Sequence, residues 1–521
     1  MNHSKSILLA AFLFCLLLMP TVQAKTLLYV PADDRPVSLE YVADTVKAAK
    51  LDIMTPPTAD LASRNRGGDS YQLWQWVLDN CKQADAIILS ADTMIYGGLV
   101  DSRTHHLFNY ELKARMDNFR KLKELNPTAR IYVFSTIMRT PKMSAGGVEP
   151  PYYETYGENI FQLTALQDKE EVQGLTGEEQ KRLKEVRELI PRDDLNDWLD
   201  RRSKNFRMNT ELIDMTRNNI FSYLIIGRDD TAPFSQSHKE GRALTKSASD
   251  LPASKFGTFP GADQLGMVLV TRAINDLETR IPIVEVHYAL GSGSDTIPTY
   301  EDQPVGKTII AHIVAAGGIV MLSPQRPDLV LVVNTPVNGV TLEADSFSNL
   351  PISTPGMHRF ADEIQSYLNT GKKIAIADIA FGNGADNSLL HELAGRHLLE
   401  KFSSYSGWNT ASNTIGYAVG QGMLARDMSD QKRRNLLAVR YLDDWSYQAN
   451  IRSQVDSEVL YPQGGSLVYL NQLAPLLTAE TEKRIRSFAK ANIDWLSPER
   501  IHVSFPWNRM FEVRIAVDPQ P

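Results

Sequence analysis

The chain has 521 residues, enough for two to four domains or one large barrel with appended pieces. Hydrophobic residues make up 43% and charged residues 22%, which excludes a wholly disordered or collagen-like chain. The formal net charge of −7, with no long Lys/Arg run, argues against a general nucleic-acid binder.

Residues 1–24 read as a leader. Lys5 precedes an almost unbroken apolar run from Ile7 to Met19, Pro20 breaks it, and Val22-Gln23-Ala24 offers small side chains where a signal peptidase cleaves. The pattern predicts a cleavable secretory signal, cut after Ala24, and a periplasmic or secreted protein. The run is short for a span of about 20 residues, so no membrane contact is expected once it is removed. Cys15 lies inside it, and its loss leaves Cys81 alone. Cys81 closes the amphipathic stretch Trp74–Cys81 and is read as a buried core thiol.

Eight short apolar runs follow, each ending in polar residues: Thr26–Val30, Leu51–Met54, Ala86–Leu89, Arg130–Phe134, Tyr223–Ile226, Ile283–Val286, Leu329–Val333 and Lys373–Ala377. Continuous runs rich in Val and Ile are the pattern of parallel strands covered on both faces. Helical spacing fills the gaps, as in Asn109–Leu125, Pro260–Leu277 and Leu389–Phe402. Repeated strand–helix alternation predicts an α/β fold. The count of eight favours a (β/α)8 TIM-like barrel over residues 25–416, with one or two doubly wound open sheets as the alternative. Ile319–Leu322 is a further possible strand. The charged stretch at 154–219 is expected to be a helical insertion, and 417–521 a mostly helical C-terminal extension with a β-like ending at Ile501–Val517.

Polar residues cluster just after the strands: Asp33, Asp34 and Arg35; Asp92 and Tyr96; Arg139; Arg228, Asp229 and Asp230; His287 and Tyr288; Asn334; Asp378. Ligands bind at the carboxyl ends of strands in either α/β architecture, so these groups are expected to share one rim. Asp229 and Asp230 form the sharpest motif. Adjacent carboxylates push one pKa up, so that one can serve as a general acid. Glycoside hydrolysis needs such an acid and a second group for the anomeric centre. The bland alternative is a cap on the next helix with an ion pair to Arg228. Asp33, Arg35, Asp92, Tyr96, Asn334, Asp378, Trp408 and Asn409 are the expected substrate-binding residues. Trp408 would stack on a sugar face, and Asn409 would bind hydroxyls.

The adjacent Asp229-Asp230 after a strand resembles the bacterial hyaluronidase and O-GlcNAcase type of glycoside hydrolase, and Asn334-Thr335-Pro336-Val337-Asn338 is similar to its Pro-Val-Asn loop. That resemblance implies an N-acetylated amino sugar whose own acetamide is oriented by one Asp and acts as nucleophile. A wider set of phrases resembles a bacterial family, domain of unknown function 4127. They are Val30-Pro31-Ala32-Asp33-Asp34-Arg35-Pro36-Val37, Ser90-Ala91-Asp92 with Tyr96-Gly97-Gly98-Leu99, Arg228-Asp229-Asp230, and Gly407-Trp408-Asn409-Thr410-Ala411 with Asn413-Thr414. The family implies no activity.

No zinc-protease helix, nucleophile elbow, Walker loop or dinucleotide fingerprint is present, and no cofactor is expected. The reading is an exported glycoside hydrolase with a carbohydrate as partner and no nucleic acid. Two alternatives stand beside it. One is a metal-dependent hydrolase or deacetylase built from Asp33, Asp92, His287 and Asp378. The other is a non-catalytic periplasmic glycan-binding protein.

Overall fold

The computed structural model describes residues 25–144 and 146–518; the expected leader lies outside them. Thr26–Val30 (β1), Asp52–Met54 (β2), Ala86–Ser90 (β3), Arg130–Ile137 (β4), Tyr223–Arg228 (β5) and Phe256–Pro260 (β6) form a six-stranded parallel sheet, ordered β2-β1-β3-β4-β5-β6. Ile283–Tyr288 (β7), Ile319–Val320 (β8), Leu329–Asn334 (β9), Ile374–Asp378 and Ser404–Ser406 build a second parallel sheet. Between β9 and Ile374–Asp378 lies Leu342–Glu343 (β10); we number Ile374–Asp378 as β11, Phe381–Gly382 as β12 and Ser404–Ser406 as β13. The second sheet then runs β13-β11-β9-β7-β8, and β10 pairs with β12 beside it. Ile501–Ser504 (β14) and Arg514–Val517 (β15) make an antiparallel ribbon.

All eight apolar runs are strands, but they do not close into a barrel. A (β/α)8 barrel needs neighbours in chain order and no free edge. Here β1 sits between β2 and β3, β7 sits between β8 and β9, and the edges are β2 and β6 in one sheet and β13 and β8 in the other. The three strands that complete the sheets, β6, β8 and β13, are short edge segments with weak apolar signals. Phe256–Pro260 is only half buried and ends in proline, β8 has two residues, and β13 is Ser-Tyr-Ser. The helix expected over Pro260–Leu277 accordingly begins later, at Leu265.

Strand alternation organises the cores. Leu27, Tyr29, Ala86 and Ile88 of the first sheet join Leu329, Leu331 and Val333 of the second in one central cluster. Leu28, Val30, Ile87 and Leu89 face a separate outer core, and Val330 and Val332 face another. The central layer is filled by helices Leu265–Leu277 and Ala411–Leu424. The second is buried at every position and crosses residue 416. Its Gly416 lets it lie against Gln264, since a Cβ there would stand 2.2 Å from the Gln264 side chain.

The expected insertion is three helices, Tyr153–Gln173, Gly177–Leu189 and Arg192–Arg217, with a small core around Tyr153 and Trp198. Cys81 is buried and unpaired with another cysteine. Among the described residues, no helix is long and apolar enough to cross a membrane.

Candidate active site

A cavity of about 500 Å³ opens at the carboxyl ends of β1, β4, β5 and β6. Asp33, Arg35, Arg139, Asp229, Asp230 and Asp263 line it. The first sheet reverses its strand order at β1 and β3, and open α/β sheets bind ligands at such a switch point.

The floor is set by β5. Its Gly227 admits the loop after β6; a Cβ there would lie 2.3 Å from the Gly261 carbonyl oxygen. The next side chain, Arg228, turns away and grips Asp302 through two bonds of 2.7 and 2.8 Å. Asp229 and Asp230 therefore do not share the expected ion pair with Arg228. Arg103 Nη2 donates to Asp229 Oδ2 at 2.5 Å, and Arg139 Nη1 donates to Asp230 Oδ2 at 2.9 Å. Glu149 Oε1 joins the two arginines, 3.5 Å from Arg103 Nη1 and 2.5 Å from Arg139 Nε. Its other oxygen is buried without a hydrogen-bond partner. Nor does the pair cap the next helix: Ser235 caps Gln236–Ser247, its Oγ accepting from the His238 N–H at 3.0 Å.

Burial, then the adjacent Asp229 charge, push Asp230 up from 3.8 to about 6, against the opposing pull of Arg139 and Arg103. Behind them, burial pushes Asp92 up to about 7 despite hydrogen bonds from the Thr136 N–H and hydroxyl at 2.9 and 2.8 Å, and Asp229 adds to the rise.

The opposite wall is an interlocked charge cluster. Arg35 Nε donates to Asp33 Oδ2 at 2.9 Å, and its Nη2 donates to Asp263 Oδ1 at 2.6 Å. Burial alone would raise Asp263, but Arg35, with hydrogen bonds from Trp408 and Asn409, holds it below the usual carboxylate range. Asn413 Oδ1 accepts from the N–H groups of Ala262 and Asp263 at 3.3 and 3.0 Å, fixing that loop. The roof comes from the far end of the chain. Trp507 Nε1 donates to Asp34 at 2.7 Å, its ring lies against the Arg35 and Arg509 guanidiniums, and Arg509 pairs with Glu512.

Four lining residues other than glycine hold left-handed backbone: Asp230 at φ 34°, Tyr300 at 71°, Asn383 at 57° and Asn409 at 57°. The Asn409 carbonyl accepts from the Asn383 N–H at 2.8 Å, and that of Tyr300 accepts from the Thr231 N–H at 2.9 Å. Such conformations persist where the surroundings over-determine them, and they concentrate at functional sites.

The single rim is therefore corrected to two. Asp33, Arg35, Asp229, Asp230 and Asn409 meet in the cavity. Asp92 is buried behind it, and Tyr96 is buried and stacked on His105. Trp408 is also buried, its Nε1 donating to Asp263 at 3.4 Å, so it backs the wall and offers no open face for a sugar. Asn334 and Asp378 belong to the second sheet, where Asn334 lines a different cavity. The mixed metal set is dispersed likewise: His287 sits beside Glu285 and Tyr367. Among the described residues no group of three or more His, Cys, Asp or Glu is placed to hold a metal. Sequence reasoning missed Arg103, Glu149, Asp263, Asn383, Trp507 and Arg509. Only Asp263 carried a local signal, the Pro260-Gly261-Ala262-Asp263 turn after Phe259.

A sequence model described as DUF4127, protein of unknown function, matches residues 27–516, from β1 through β15. The chain belongs to the DUF4127 family. Both sheets, the helical insertion and the roof segment of this DUF4127 protein thus lie within the matched region. No curated protein matches it. Among solved structures, a complex between a UDP-glucosyltransferase from Polygonum tinctorium capable of glucosylating indoxyl and 3,4-dichloroaniline is similar at a TM-score of 0.19 and 9% identity, covering 83% of this chain and 96% of that one. A likeness that slight carries no weight for fold or activity.

Proposed function

We propose that this DUF4127 protein is a glycoside hydrolase, with Asp230 as general acid and Asp229 as the group that positions the substrate. The observation that carries the reading is the pair itself: adjacent carboxylates at the end of β5, facing one cavity and held by different arginines, with Asp230 raised toward neutrality. A carboxyl at about 6 keeps a transferable proton near neutral pH, as leaving-group protonation needs.

The surroundings suit a polyhydroxylated ligand. Asn383 and Asn409 offer amides, Tyr300 and Phe511 offer aromatic wall, and the arginines are matched by carboxylates, which leaves little net charge to demand an ionic substrate. For an N-acetylated amino sugar the steps balance as follows. Asp230 gives its proton to the glycosidic oxygen as the bond to the anomeric carbon breaks. The acetamide oxygen attacks that carbon while Asp229 accepts a hydrogen bond from the acetamide N–H. Water then opens the cyclic intermediate and returns a proton to Asp230. The adjacency of the pair supports this route, although the chain has no closed barrel and Asn334 lies elsewhere. A secreted or periplasmic site of action rests on the pattern of residues 1–24.

The test is a panel of α- and β-linked aryl glycosides, including N-acetylhexosaminides, with and without a chelator. Chelator-resistant turnover that falls in Asp230→Asn supports the proposal. Turnover abolished by the chelator indicates a metal-dependent hydrolase. Saturable sugar binding without turnover, surviving Asp230→Asn, indicates a binding protein.

A further inference from the structure

The second sheet repeats the topology of the first. Counting its strands from β7, the order β13-β11-β9-β7-β8 is 5-4-3-1-2, matching the β2-β1-β3-β4-β5 arrangement of the first sheet. Its switch point lies between β7 and β9, and a separate cavity of about 530 Å³ opens there, at the carboxyl ends of β7, β9 and β11. The walls are apolar, and several carry large side chains in water: Val337, Leu350 and Ile352 are 74%, 52% and 65% exposed. Phe360 closes the inner end.

The floor is polar and anionic. Asn334 Nδ2 bridges Asp378 Oδ1 and Asp386 Oδ2 at 2.9 and 3.0 Å. Asp378 Oδ2 accepts from the Asp386 N–H at 2.8 Å and the Tyr405 hydroxyl at 2.9 Å. Asp386 Oδ1 accepts from the Ser388 N–H at 2.8 Å. Among the described residues no Lys, Arg or His lies within 4 Å of either carboxylate. Thr335, 2% exposed, lines the same cavity, and its hydroxyl has no hydrogen-bond partner; the Ser388 hydroxyl is buried and unpartnered too. Buried polar groups are normally satisfied, so an unpartnered threonine hydroxyl lining the same cavity as Asp386, a carboxylate with no cation on it, marks a place for a donor. Burial and the Asp386 charge push Asp378 up to about 7, the response of a carboxylate that lacks a cation.

We propose that this second cavity binds an amphipathic organic cation, an aliphatic or aromatic primary amine, with its ammonium on Asp386 and Thr335 and its body along Val337, Leu350, Ile352 and Phe360. An ammonium supplies the missing charge and the N–H donors, and the apolar body covers the exposed side chains. The site is separate from the Asp229–Asp230 cavity and does not depend on its chemistry.

Calorimetric titration of the full chain with n-hexylamine and 2-phenylethylamine, against 2-phenylethanol and 3-phenylpropionate, tests it. The amines should bind at least tenfold more tightly than the alcohol and the acid. Asp386→Asn keeps the planar shape and an oxygen for the Ser388 N–H, and should weaken amine binding at least tenfold. Ile352→Lys, at an exposed position, should do the same by repulsion, and Asp230→Asn should leave amine binding unchanged. No binding of either amine at millimolar concentration, equal binding of the alcohol, or amine binding kept in both Asp386→Asn and Ile352→Lys would overturn the proposal.

Discussion

Replacing Asp230 by Asn tests the acid assignment with little disturbance elsewhere. Asparagine accepts left-handed backbone more readily than most residues, so the φ of 34° is tolerated, and an amide oxygen can still accept from Arg139. What is lost is the proton. Removing a general acid lowers turnover about 10²–10⁴-fold, or roughly 3–5 kcal/mol of transition-state stabilisation at 1.36 kcal/mol per decade. The loss should be small on an aryl glycoside with a good leaving group and large on an alkyl glycoside, which needs protonation. In the wild type, kcat/KM should fall as pH rises through about 6, the pKa of Asp230, and the variant should lack that limb. Rates on both substrates from pH 4.5 to 8.5, with thermal melts beside them, give the readout. Equal losses on good and poor leaving groups, or an unchanged limb near pH 6, would refute the acid role.

Asp229→Asn removes the charge beside buried Arg103, leaving Glu149 as its only carboxylate; it should lower stability by about 1–3 kcal/mol and reduce turnover on good and poor leaving groups alike, measured by denaturant melts and rates. Asp92 has a folded pKa of about 7, raised above its unfolded value, so the stability it contributes is present below about pH 4 and is lost as pH rises through 7; Asp92→Asn should flatten the fall in Tm between pH 5 and 8. Trp507→Phe keeps the ring but loses the bond to Asp34, which should lower stability by about 0.5–1.5 kcal/mol and raise KM more than it lowers kcat. Gly227→Ala forces β5 from the Gly261 carbonyl and should destabilise by about 1–3 kcal/mol, with turnover falling as Asp229 and Asp230 shift.

The central parallel strands were legible because they are buried on both faces and so read as unbroken apolar runs, Ala86–Ser90 and Leu329–Asn334 being the clearest. Their division into two sheets was legible only as the alternative to a barrel. A count of eight suits a barrel, and the strands that reveal open edges are the ones with weak signals: a proline-ended segment, a two-residue strand and Ser-Tyr-Ser. The site was half legible for the same reason. Asp33, Arg35, Asp229 and Asp230 follow strong strands, so their position could be inferred from the runs before them. Asn334 and Asp378 follow equally strong strands, and nothing local says that they serve a different sheet. Glu149 and Arg103 lie in connections whose path is fixed only by tertiary packing, and Trp507 and Arg509 come from a terminal segment with no periodicity that points back to β1.

The Trp507–Asp34 hydrogen bond joins positions 473 residues apart. At a synthesis rate of about 5–20 residues per second, roughly half a minute to a minute and a half separates the appearance of Asp34 from that of its partner. Through the second half of that interval β1 to β6 are complete, yet the pocket has no roof and Arg35 has neither Glu512 nor the indole against it. The roof of the cavity therefore arrives only with the segment around Trp507. A ribosome that stops short of Trp507 would release a product able to order its first sheet while leaving Asp229 and Asp230 open to bulk water.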